Sequence, residues 1–350
     1  ISFAPKTWTE PATPTRVCRG MPPRRIGAGL QNDAAIGLAN RRDRRSVKWA
    51  CGRKCGMGDR SPMNYRHAYH AGNFADVFKH VVVTRIVQYL KRKDKAFRVI
   101  DTHAGTGLYS LGGIEASKTD EWRGGVGRLL ASEMPADAAD LLEAYLDIVR
   151  TENLARGAVD DGALAFYPGS PLLIRRLLRR QDRLSAIELH PEDAATLAAL
   201  FAGDHQVRAI RLDGWLALGA HLPPKENRGL VLVDPPFEQA AEFDRMTSGL
   251  IKAHRRFPGG TYALWYPVKD RREVTDFAEA LRQAAIPKTL RIEFGTARPA
   301  TTGRLSACGM IVVNPPFTLE EELRTLLPVL VKVLQEGSGA YWAIEWLRNG

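Results

Sequence analysis

The sequence lacks several features that would assign it to common functional classes. Its 350 residues contain no run of about 18 uninterrupted apolar residues, so there is no candidate for a membrane-spanning helix. The charged and then apolar start of a secretory signal is missing. Of the four cysteines, three precede residue 62, which is no disulfide framework. We therefore expect a cytoplasmic protein that works in a reducing compartment.

Metal ligands and a dinucleotide fingerprint are also incomplete. Cys51 and Cys55 have the spacing of half a zinc site, but no second pair of ligands follows at a suitable distance. After Gly105 and Gly107, Ser110 stands where the dinucleotide fingerprint requires a third glycine. The sequence therefore predicts no metal site and disfavours a nicotinamide or flavin enzyme.

The excess of positive charge is concentrated at one end of the chain. The net charge is +11, from 50 lysines and arginines against 39 aspartates and glutamates. Residues 1–62 hold 13 of these cations and 4 of the acids, a net charge of +9, which leaves 37 minus 35, or +2, for 63–350. A surface for nucleic-acid phosphates must therefore come from local clustering in 63–350.

Residues 1–62 differ in composition and pattern from the rest of the chain. Proline, arginine and glycine recur there without periodicity, so the segment buries too little apolar surface to offset the entropy cost of ordering it. We predict a disordered basic tail and interpret it as an over-extended start, with Met63 as the first residue of the protein proper. The alternatives are a basic RNA-binding arm and an organellar transit peptide. A single domain is expected over 63–350.

The pattern after Met63 predicts an α/β fold. Asn73 is a suitable N-cap for a helix over 74–93, whose apolar residues recur at helical spacing. Seven short apolar runs alternate with helical stretches, which indicates a mostly parallel seven-stranded sheet with helices on both faces. The last two strands are close enough to form an antiparallel hairpin at one edge of the sheet. The predicted strands are 97–101, 184–189, 207–212, 230–233, 262–266, 290–294 and 310–313.

Residues 114–168 interrupt this alternation. They contain helical patterns and no strand pattern, so we predict a small helical insertion between the first and second strands. Such an insertion either caps the sheet or forms a lid over a site at the strand ends.

Glycine and acidic residues follow the first three predicted strands. Gly105 comes after the first strand, where glycine lets the backbone approach a nucleotide closely. Glu188 ends the second strand, where a carboxylate can accept hydrogen bonds from both hydroxyls of a ribose. Asp213 ends the third, where it can accept one from an adenine amine. Each position alone is also a common strand-end turn or cap, but the ordered set favours a nucleoside cofactor.

The fourth predicted strand ends in the most specific motif, Asp234-Pro235-Pro236-Phe237. An exocyclic amine is a poor nucleophile because its lone pair is conjugated into the ring. Two acceptors aimed at its hydrogens, the Asp234 carboxylate and the Pro235 carbonyl, favour the pyramidal nitrogen that can attack a methyl group. Proline makes the loop rigid, and Phe237 offers a face on which a flipped-out base can stack. The motif therefore predicts methylation of an amine.

Two further motifs allow alternative interpretations. Asn314-Pro315-Pro316-Phe317 repeats the loop pattern after the last predicted strand. In chain order the catalytic loop should follow the third cofactor-binding strand, as Asp234 does, so we interpret Asn314 as a strand-end turn at the far edge of the sheet. A basic stripe either holds phosphates or is a solvated helix face; it consists of Arg175, Arg176, Arg179 and Arg180.

With these residues in place, the chain resembles the class I, Rossmann-like methyltransferases. More narrowly, it resembles the bacterial 23S ribosomal RNA adenine-N6 methyltransferase J family, over essentially the whole of 63–350. The most specific part of the likeness is YRHAYHAGN at 65–73, continued by ADV and KH up to residue 80. The motifs DTHAGTG, YPGSP, ELHP, LDGW and VDPPFE match in order. Phe237 replaces a tyrosine often found in this family, and the tail has no counterpart in the pattern.

The resemblance implies roles for individual residues. It makes Asp234 the acceptor for the target amine and suggests that Tyr65, with His67 and Lys79 as weaker candidates, contacts RNA. The cofactor it implies is S-adenosylmethionine. The expected cofactor contacts, including Gly105 from the glycine motif, are His80, His103, Gly105, Ser170, Glu188, Asp213, Gly214 and Asp234.

These observations lead to one principal hypothesis. We expect a monomeric enzyme that methylates N6 of one adenine in 23S ribosomal RNA by direct transfer from S-adenosylmethionine. DNA adenine or a protein amide is the alternative substrate, because related Pro-Pro-aromatic motifs serve all three. An RNA-binding protein without turnover is a further alternative, and the intact set of Gly105, Glu188 and Asp234 argues against it.

Overall fold

The structure is a computed structural model and describes residues 67–113, 116, 118–157, 164–239, 241–299 and 304–349. The predictions for the 1–62 tail and for Tyr65 fall outside these residues. The prediction of an α/β fold with a mostly parallel sheet and helices on both faces is confirmed.

Ten strands form two sheets within the described residues. The main sheet has eight strands, not the predicted seven, and the order β10-β8-β9-β7-β6-β1-β4-β5; β2 and β3 pair with each other. The strands are β1 (Arg98–Asp101), β2 (Leu108–Ser110), β3 (Phe166–Pro168), β4 (Arg183–Glu188), β5 (Val207–Arg211), β6 (Gly229–Val233), β7 (Thr261–Pro267), β8 (Thr289–Gly295), β9 (Ala307–Val313) and β10 (Tyr341–Arg348).

The parallel part of the sheet determines where a site can form. Strands β5, β4, β1, β6 and β7 are parallel neighbours. From β1 the chain moves outward to β4 and β5 and then returns to β6 on the other side of β1. Ligands bind at such a switch point, in the crevice beyond the carboxyl ends of the strands. We call this the carboxyl end of the sheet and the opposite side its amino end.

The other strands differ partly from the prediction. The antiparallel pairing of β8 with β9 is confirmed, but its position at the edge is wrong, because β9 also pairs with β7 and β10 adds to β8. The edge strand β10 was not predicted, and most of its residues are half-buried, as expected for a strand with one solvated face. Since β9 runs antiparallel to β7, Asn314 at its end lies at the amino end of the sheet, next to an internal strand.

Helices cover both faces of the sheet. One core lies between the sheet and α1, α2, α3 and α8, and a second lies between the other face and α5, α6 and α7. No helix in the described ranges is long and apolar enough to cross a membrane. The longer helices are α1 (Phe74–Lys91), α2 (Ala136–Leu154), α3 (Ser170–Leu177), α4 (Pro191–Leu200), α5 (Gly214–Ala220), α6 (Glu242–Arg256), α7 (Arg271–Gln283) and α8 (Leu319–Leu334).

Helix α1 begins where the sequence predicted. The Asn73 side chain accepts hydrogen bonds from the backbone N–H groups of Ala75 and Asp76, at 2.9 and 3.0 Å, and so satisfies donors that the first turn leaves free. The helix is more deeply buried than an amphipathic stripe requires, since Asp76, Lys79 and His80 are also buried. It therefore carries charged groups into the interior at the carboxyl end of the sheet.

The described residues of the interval 114–168 are mostly helical and include one short strand at the end. Short helical turns over Arg123–Leu130 precede α2, as the helical patterns indicated. The expectation that the interval contains no strand is wrong, because Phe166–Pro168 pairs antiparallel with Leu108–Ser110. A strand of three residues is too short to show a period of two in the sequence.

Candidate active site

A cleft of about 710 Å³ opens at the carboxyl end of the sheet. The ends of β1, β4, β5, β6 and β7, the start of α1 and the β8–β9 loop form its walls. Because these segments are distant in sequence, the topology alone brings most of the predicted site residues together. The predicted residues that line the cleft are His67, Lys79, His103, Gly105, Ser170, Glu188, Asp213, Gly214, Asp234, Pro235 and Phe237.

His80 does not line the cleft. Its ring is fully buried, stacks on Tyr167 with 5.5 Å between the ring centroids, and shares a hydrogen bond of 2.8 Å between Nδ1 and the Tyr167 hydroxyl. Burial lowers the pKa of His80 to about 3, so the ring is neutral. In this arrangement the residue supports the helix beneath the cleft.

The Glu188 carboxylate is held by backbone groups on both sides. The N–H of Gly105 donates to Oε2 and the N–H of His190 donates to Oε1, each at 2.8 Å. Burial raises the pKa of Glu188 despite these bonds. Each oxygen keeps further acceptor capacity, so the group is positioned to receive two hydroxyl donors from the cleft.

Two glycines let the chain pass close to this wall. Gly105 has φ +60, and a Cβ there would lie 2.2 Å from the Tyr109 hydroxyl. A Cβ on Gly214 would lie 2.3 Å from the carbonyl oxygen of Thr102. Both distances are far below contact, so only glycine fits at either position.

Asp213 and His103 stand beside Gly214. The Asp213 carboxylate caps α5 by accepting from the N–H of Trp215 at 2.7 Å, which fixes its orientation. The His103 ring packs edge-on against Trp215, with 5.5 Å between centroids. Burial lowers the pKa of His103 to about 4, so this ring is neutral as well.

Ser170 depends on a buried carboxylate that was not among the predicted site residues. Its hydroxyl donates to Asp101 at 2.6 Å, and Asp101 is fully buried at the end of β1. Burial raises the pKa of Asp101 to about 7. The signal in the sequence was its place as the first residue of DTHAGTG, but Asp101 lies behind the wall and its contact with Ser170 depends on tertiary packing.

A buried charge network surrounds Asp234. The Lys79 ammonium contacts Asp234 Oδ2 at 2.6 Å and Asp76 Oδ1 at 2.8 Å, and the Lys79 side chain is 5% exposed. Burial lowers the pKa of Lys79, but Asp234 and Asp76 raise it more, so it stands well above its ordinary value. Lys79 is therefore charged, which keeps Asp234 oriented and offsets part of the negative charge of the two carboxylates. Asp76 was not predicted, although its i, i+3 spacing to Lys79 was visible in the sequence.

The loop after β6 has a strained conformation. Phe237 has φ +52, a left-handed conformation that a bulky side chain rarely adopts. Its ring packs against Phe243 and Trp265, with centroids 5.1 and 6.1 Å away. These contacts hold the aromatic face beside Asp234. Trp265 also lines the cleft. It was not predicted, because a tryptophan within a predicted strand is usually interpreted as a core residue.

A second polar cluster connects the rim of the cleft. Glu121, in the insertion, accepts from Asn73 Nδ2 at 2.9 Å, contacts His70 Nδ1 at 3.0 Å, and pairs with Arg304 Nε at 3.2 Å. The insertion thus bonds to the start of α1 and to the β8–β9 loop. Lys269 is an exposed cation on the same rim. None of these contacts was predicted, since each joins segments far apart in sequence.

The other two histidines of the 65–80 motif contact different acids. His67 Nε2 contacts Asp76 at 2.9 Å, while His70 contacts Glu121. Across the described ranges, no three or more His, Cys, Asp or Glu side chains cluster closely enough to hold a metal ion.

The second Pro-Pro loop lies away from the cleft. The Asn314 side-chain amide donates to the carbonyl oxygens of Pro258 and Gly260, at 2.9 and 2.8 Å. Its interpretation as a strand-end turn is confirmed. Its assignment to the far edge of the sheet is wrong, because β9 is internal.

Comparison with known proteins gives a consistent result. A family model described as "Ribosomal RNA large subunit methyltransferase D, RlmJ" matches residues 94–348. Proteins named ribosomal RNA large subunit methyltransferase J are similar over most of their length. The Escherichia coli protein is 40% identical over 286 residues, 81% of this chain and 99% of that protein. The Haemophilus influenzae protein is 40% identical over 287 residues, with the same coverage.

A solved structure is also similar to this chain. The crystal structure of a Legionella pneumophila protein matches with a TM-score of 0.70 and 34% sequence identity, covering 79% of this chain and 98% of that one.

Proposed function

Since the chain belongs to the ribosomal RNA large subunit methyltransferase J family, we propose that it transfers the methyl group of S-adenosylmethionine to N6 of one adenine in 23S ribosomal RNA. One observation carries this proposal: the Asp234-Pro235-Pro236-Phe237 loop opens into the same cleft as Glu188 and Asp213. Acceptors for a target amine and for a nucleoside cofactor therefore share one space at the switch point of the sheet.

The half of the cleft beyond β1, β4 and β5 fits S-adenosylmethionine. When bound, this cofactor supplies a methyl group on a positively charged sulfonium. Glu188, fixed by two backbone N–H groups, would hold the ribose hydroxyls, and Asp213 would accept from the adenine amine. Gly105 and Gly214 let the backbone at this wall pass close to Tyr109 and Thr102, where a Cβ would clash. Ser170, bonded to Asp101, and His103 would complete this half.

The half beyond β6 and β7 fits the target base. Asp234 and the Pro235 carbonyl would accept the two hydrogens of the amine and so localise its lone pair on nitrogen. Phe237, held in its strained conformation, would stack on the flipped-out adenine. The proton that the amine loses on methylation can pass to Asp234 or to water. This chemistry consists mainly of positioning, because the cofactor supplies the reactive group.

Lys79 has a distinct role in this proposal. Its ammonium is engaged by Asp76 and Asp234, so we assign it to holding Asp234 in place. His67 contacts Asp76 and lies at the mouth of the cleft, where it would meet RNA together with Tyr65. We further propose that 63–350 is the methyltransferase domain. Described residues of a single chain line the cleft, so we propose a monomer and, with ribosomal RNA as its substrate, a cytoplasmic enzyme.

The test is a transfer assay with the full chain. The protein is incubated with methyl-labelled S-adenosylmethionine and, separately, with large-subunit ribosomal RNA, genomic DNA and protein extract. We expect label in the RNA alone. Label in DNA or protein instead would keep the amine chemistry and overturn the substrate. Binding of S-adenosylmethionine without transfer to any of the three would favour an RNA-binding protein without turnover.

A further inference from the structure

Three cation-rich segments meet at the amino end of the sheet, on the side opposite the cleft. Residues 91–98, 175–183 and 225–228 together contain 12 lysines and arginines and 3 acids, whereas the whole of 63–350 has 37 and 35. About a third of the cations of this part of the chain thus lie in three short segments. Because the overall charge of 63–350 is nearly neutral, a surface for phosphates requires a local excess of cations of this kind.

Specific contacts hold these segments against one another. Arg179 donates to the backbone carbonyls of Lys91 and Lys93, at 2.9 and 2.8 Å. Arg228 donates to the carbonyl of Lys95 at 2.6 Å. These bonds satisfy carbonyls at the end of α1, and they fix the turn after α1 as a rigid part of the surface.

Some of the cations have partners and some do not. Asp182 pairs with Arg179, and Asp204 pairs with Arg175. Glu226 pairs with Arg98 and Glu152 with Arg176. Three of the four arginines in the predicted basic stripe therefore form ion pairs within the fold.

The cations that are left over are exposed. Lys93, Lys95 and Arg180 form no ion pair with any other residue that the structure describes, and all three are exposed. Burial and then the charge of Arg179 lower the pKa of both Lys91 and Arg228. The cluster thus repels itself in the free protein, and a bound polyanion would relieve that repulsion.

An exposed aromatic side chain lies at the same end of the sheet. Phe317, from the second Pro-Pro loop, is 80% exposed and contacts Tyr89 edge-on, with 5.5 Å between the centroids. Arg92 covers the Tyr89 ring at 5.4 Å. Cations next to exposed aromatic faces are the combination that binds nucleic acid containing unpaired bases, whereas an acidic protein would need the charges alone.

We propose that this surface, formed by Lys93, Lys95, Arg180 and Phe317, binds a second segment of the substrate RNA, outside the stretch that carries the target adenine. The inference rests on the proposed function. Helix α1 connects the cleft to this surface, and its 18 residues span about 27 Å. An RNA must therefore extend well beyond the target base to reach it.

The test compares long and short RNA with the full chain. We use intact 23S RNA and the shortest fragment that the wild type still methylates, and we measure KM and kcat for the variant Lys93→Gln, Lys95→Gln, Arg180→Gln. We expect KM for 23S RNA to rise about tenfold with kcat unchanged, and KM for the short fragment to stay the same. For 23S RNA, the plot of log affinity against log salt concentration should be shallower by about 2 in this variant, because each lost phosphate contact removes about 0.7–0.9 from the magnitude of the slope.

Two controls accompany this variant. Lys93→Arg, Lys95→Arg, Arg180→Lys keeps the charge and should behave as the wild type. Arg150→Gln, Lys332→Gln, Arg348→Gln removes three exposed cations elsewhere and should leave KM for both RNAs unchanged.

The outcomes separate this inference from the proposed function. An unchanged KM for 23S RNA, or an equal rise for both RNAs, would overturn the second binding surface while leaving methyl transfer intact. If the wild type methylates no RNA, the proposed function fails, and filter binding of 23S RNA then tests the surface by itself. If the glutamine variant loses binding to anionic lipid vesicles to the same degree as it loses binding to 23S RNA, the assignment of this surface to RNA is also overturned.

Discussion

Two loops of nearly the same sequence lie at opposite ends of this sheet. Asp234-Pro235-Pro236-Phe237 follows β6, which is parallel to β1, and opens into the cleft. Asn314-Pro315-Pro316-Phe317 follows β9, which is antiparallel to β7, and ends on the far side. Strand direction therefore decides which copy can meet a cofactor. The motif alone therefore does not specify the chemistry. The end of the sheet at which the loop lies determines whether the loop can take part in the reaction.

The two loops also differ in backbone conformation. Each has one residue with positive φ: Phe237 at +52 and Asn314 at +50. Asparagine tolerates this conformation, whereas a bulky aromatic residue is strained in it. Of the two loops, the one at the cleft has this strain, and Phe243 and Trp265 pack against Phe237 there. Such localisation is typical of functional sites.

The largest effect should come from the acidic residue of the first loop. Asp234→Ala removes the acceptor for the target amine, and we expect kcat to fall by a factor on the order of 10²–10³, as for loss of a transition-state hydrogen-bonding group. Asn314→Ala is the matched control and should keep kcat. Turnover at the wild-type rate in a folded Asp234→Ala protein would abolish the distinction between the loops.

A smaller effect is expected where the cofactor half is altered. Glu188→Ala removes a carboxylate fixed by two N–H groups, and hydrogen bonds to charged groups are worth about 1.5–3 kcal/mol. The KM for S-adenosylmethionine should rise roughly 10- to 100-fold, with KM for RNA nearly unchanged. Glu188→Gln, which retains one acceptor oxygen, should lose less. Equal changes in both KM values would mean that Glu188 acts through the fold.

The two phenylalanines sharpen the comparison. Stacking of a base on an aromatic ring is worth about 1–3 kcal/mol, so Phe237→Ala should lower kcat/KM by about tenfold or more on every RNA substrate. Phe237→Tyr should retain activity because the face remains. Phe317→Ala should raise KM only a few-fold, and only for long RNA. If the two alanine variants changed KM and kcat/KM in the same way on long and on short RNA, the assignment of Phe237 and Phe317 to separate surfaces would be contradicted.

The smallest functional effect is predicted for Asn314, where stability changes instead. Asn314→Ala loses two hydrogen bonds to backbone carbonyls, each worth about 0.5–1.5 kcal/mol. We expect the free energy of unfolding to fall by about 1–3 kcal/mol in urea titrations. Asn314→Gly also loses these bonds but adopts positive φ freely, so it should be less destabilised. A more stable alanine variant would refute this account of the turn.

Much of the site could be predicted because each of its motifs is short and lies at the end of one strand. Gly105, Glu188, Asp213 and Asp234 each follow a strand, and parallel strands place their carboxyl ends side by side. The order of these residues therefore predicted a common cleft.

What could not be predicted depends on packing between distant segments. The contact of Lys79 with Asp234 joins α1 to the end of β6, and Glu121 joins the insertion to the β8–β9 loop. His80 matched a family motif, but the helix turns it into the core.

Identification of the methylated nucleoside tests the central claim most directly. Ribosomal RNA methylated by the wild type is digested to nucleosides and analysed by mass spectrometry, with the Asp234→Ala protein as the control. The geometry of the cleft predicts N6-methyladenosine as the product, and its absence with the variant. A methyl group on a ribose oxygen or on a ring atom of another base would contradict the assignment of the Asp234 loop to an adenine amine.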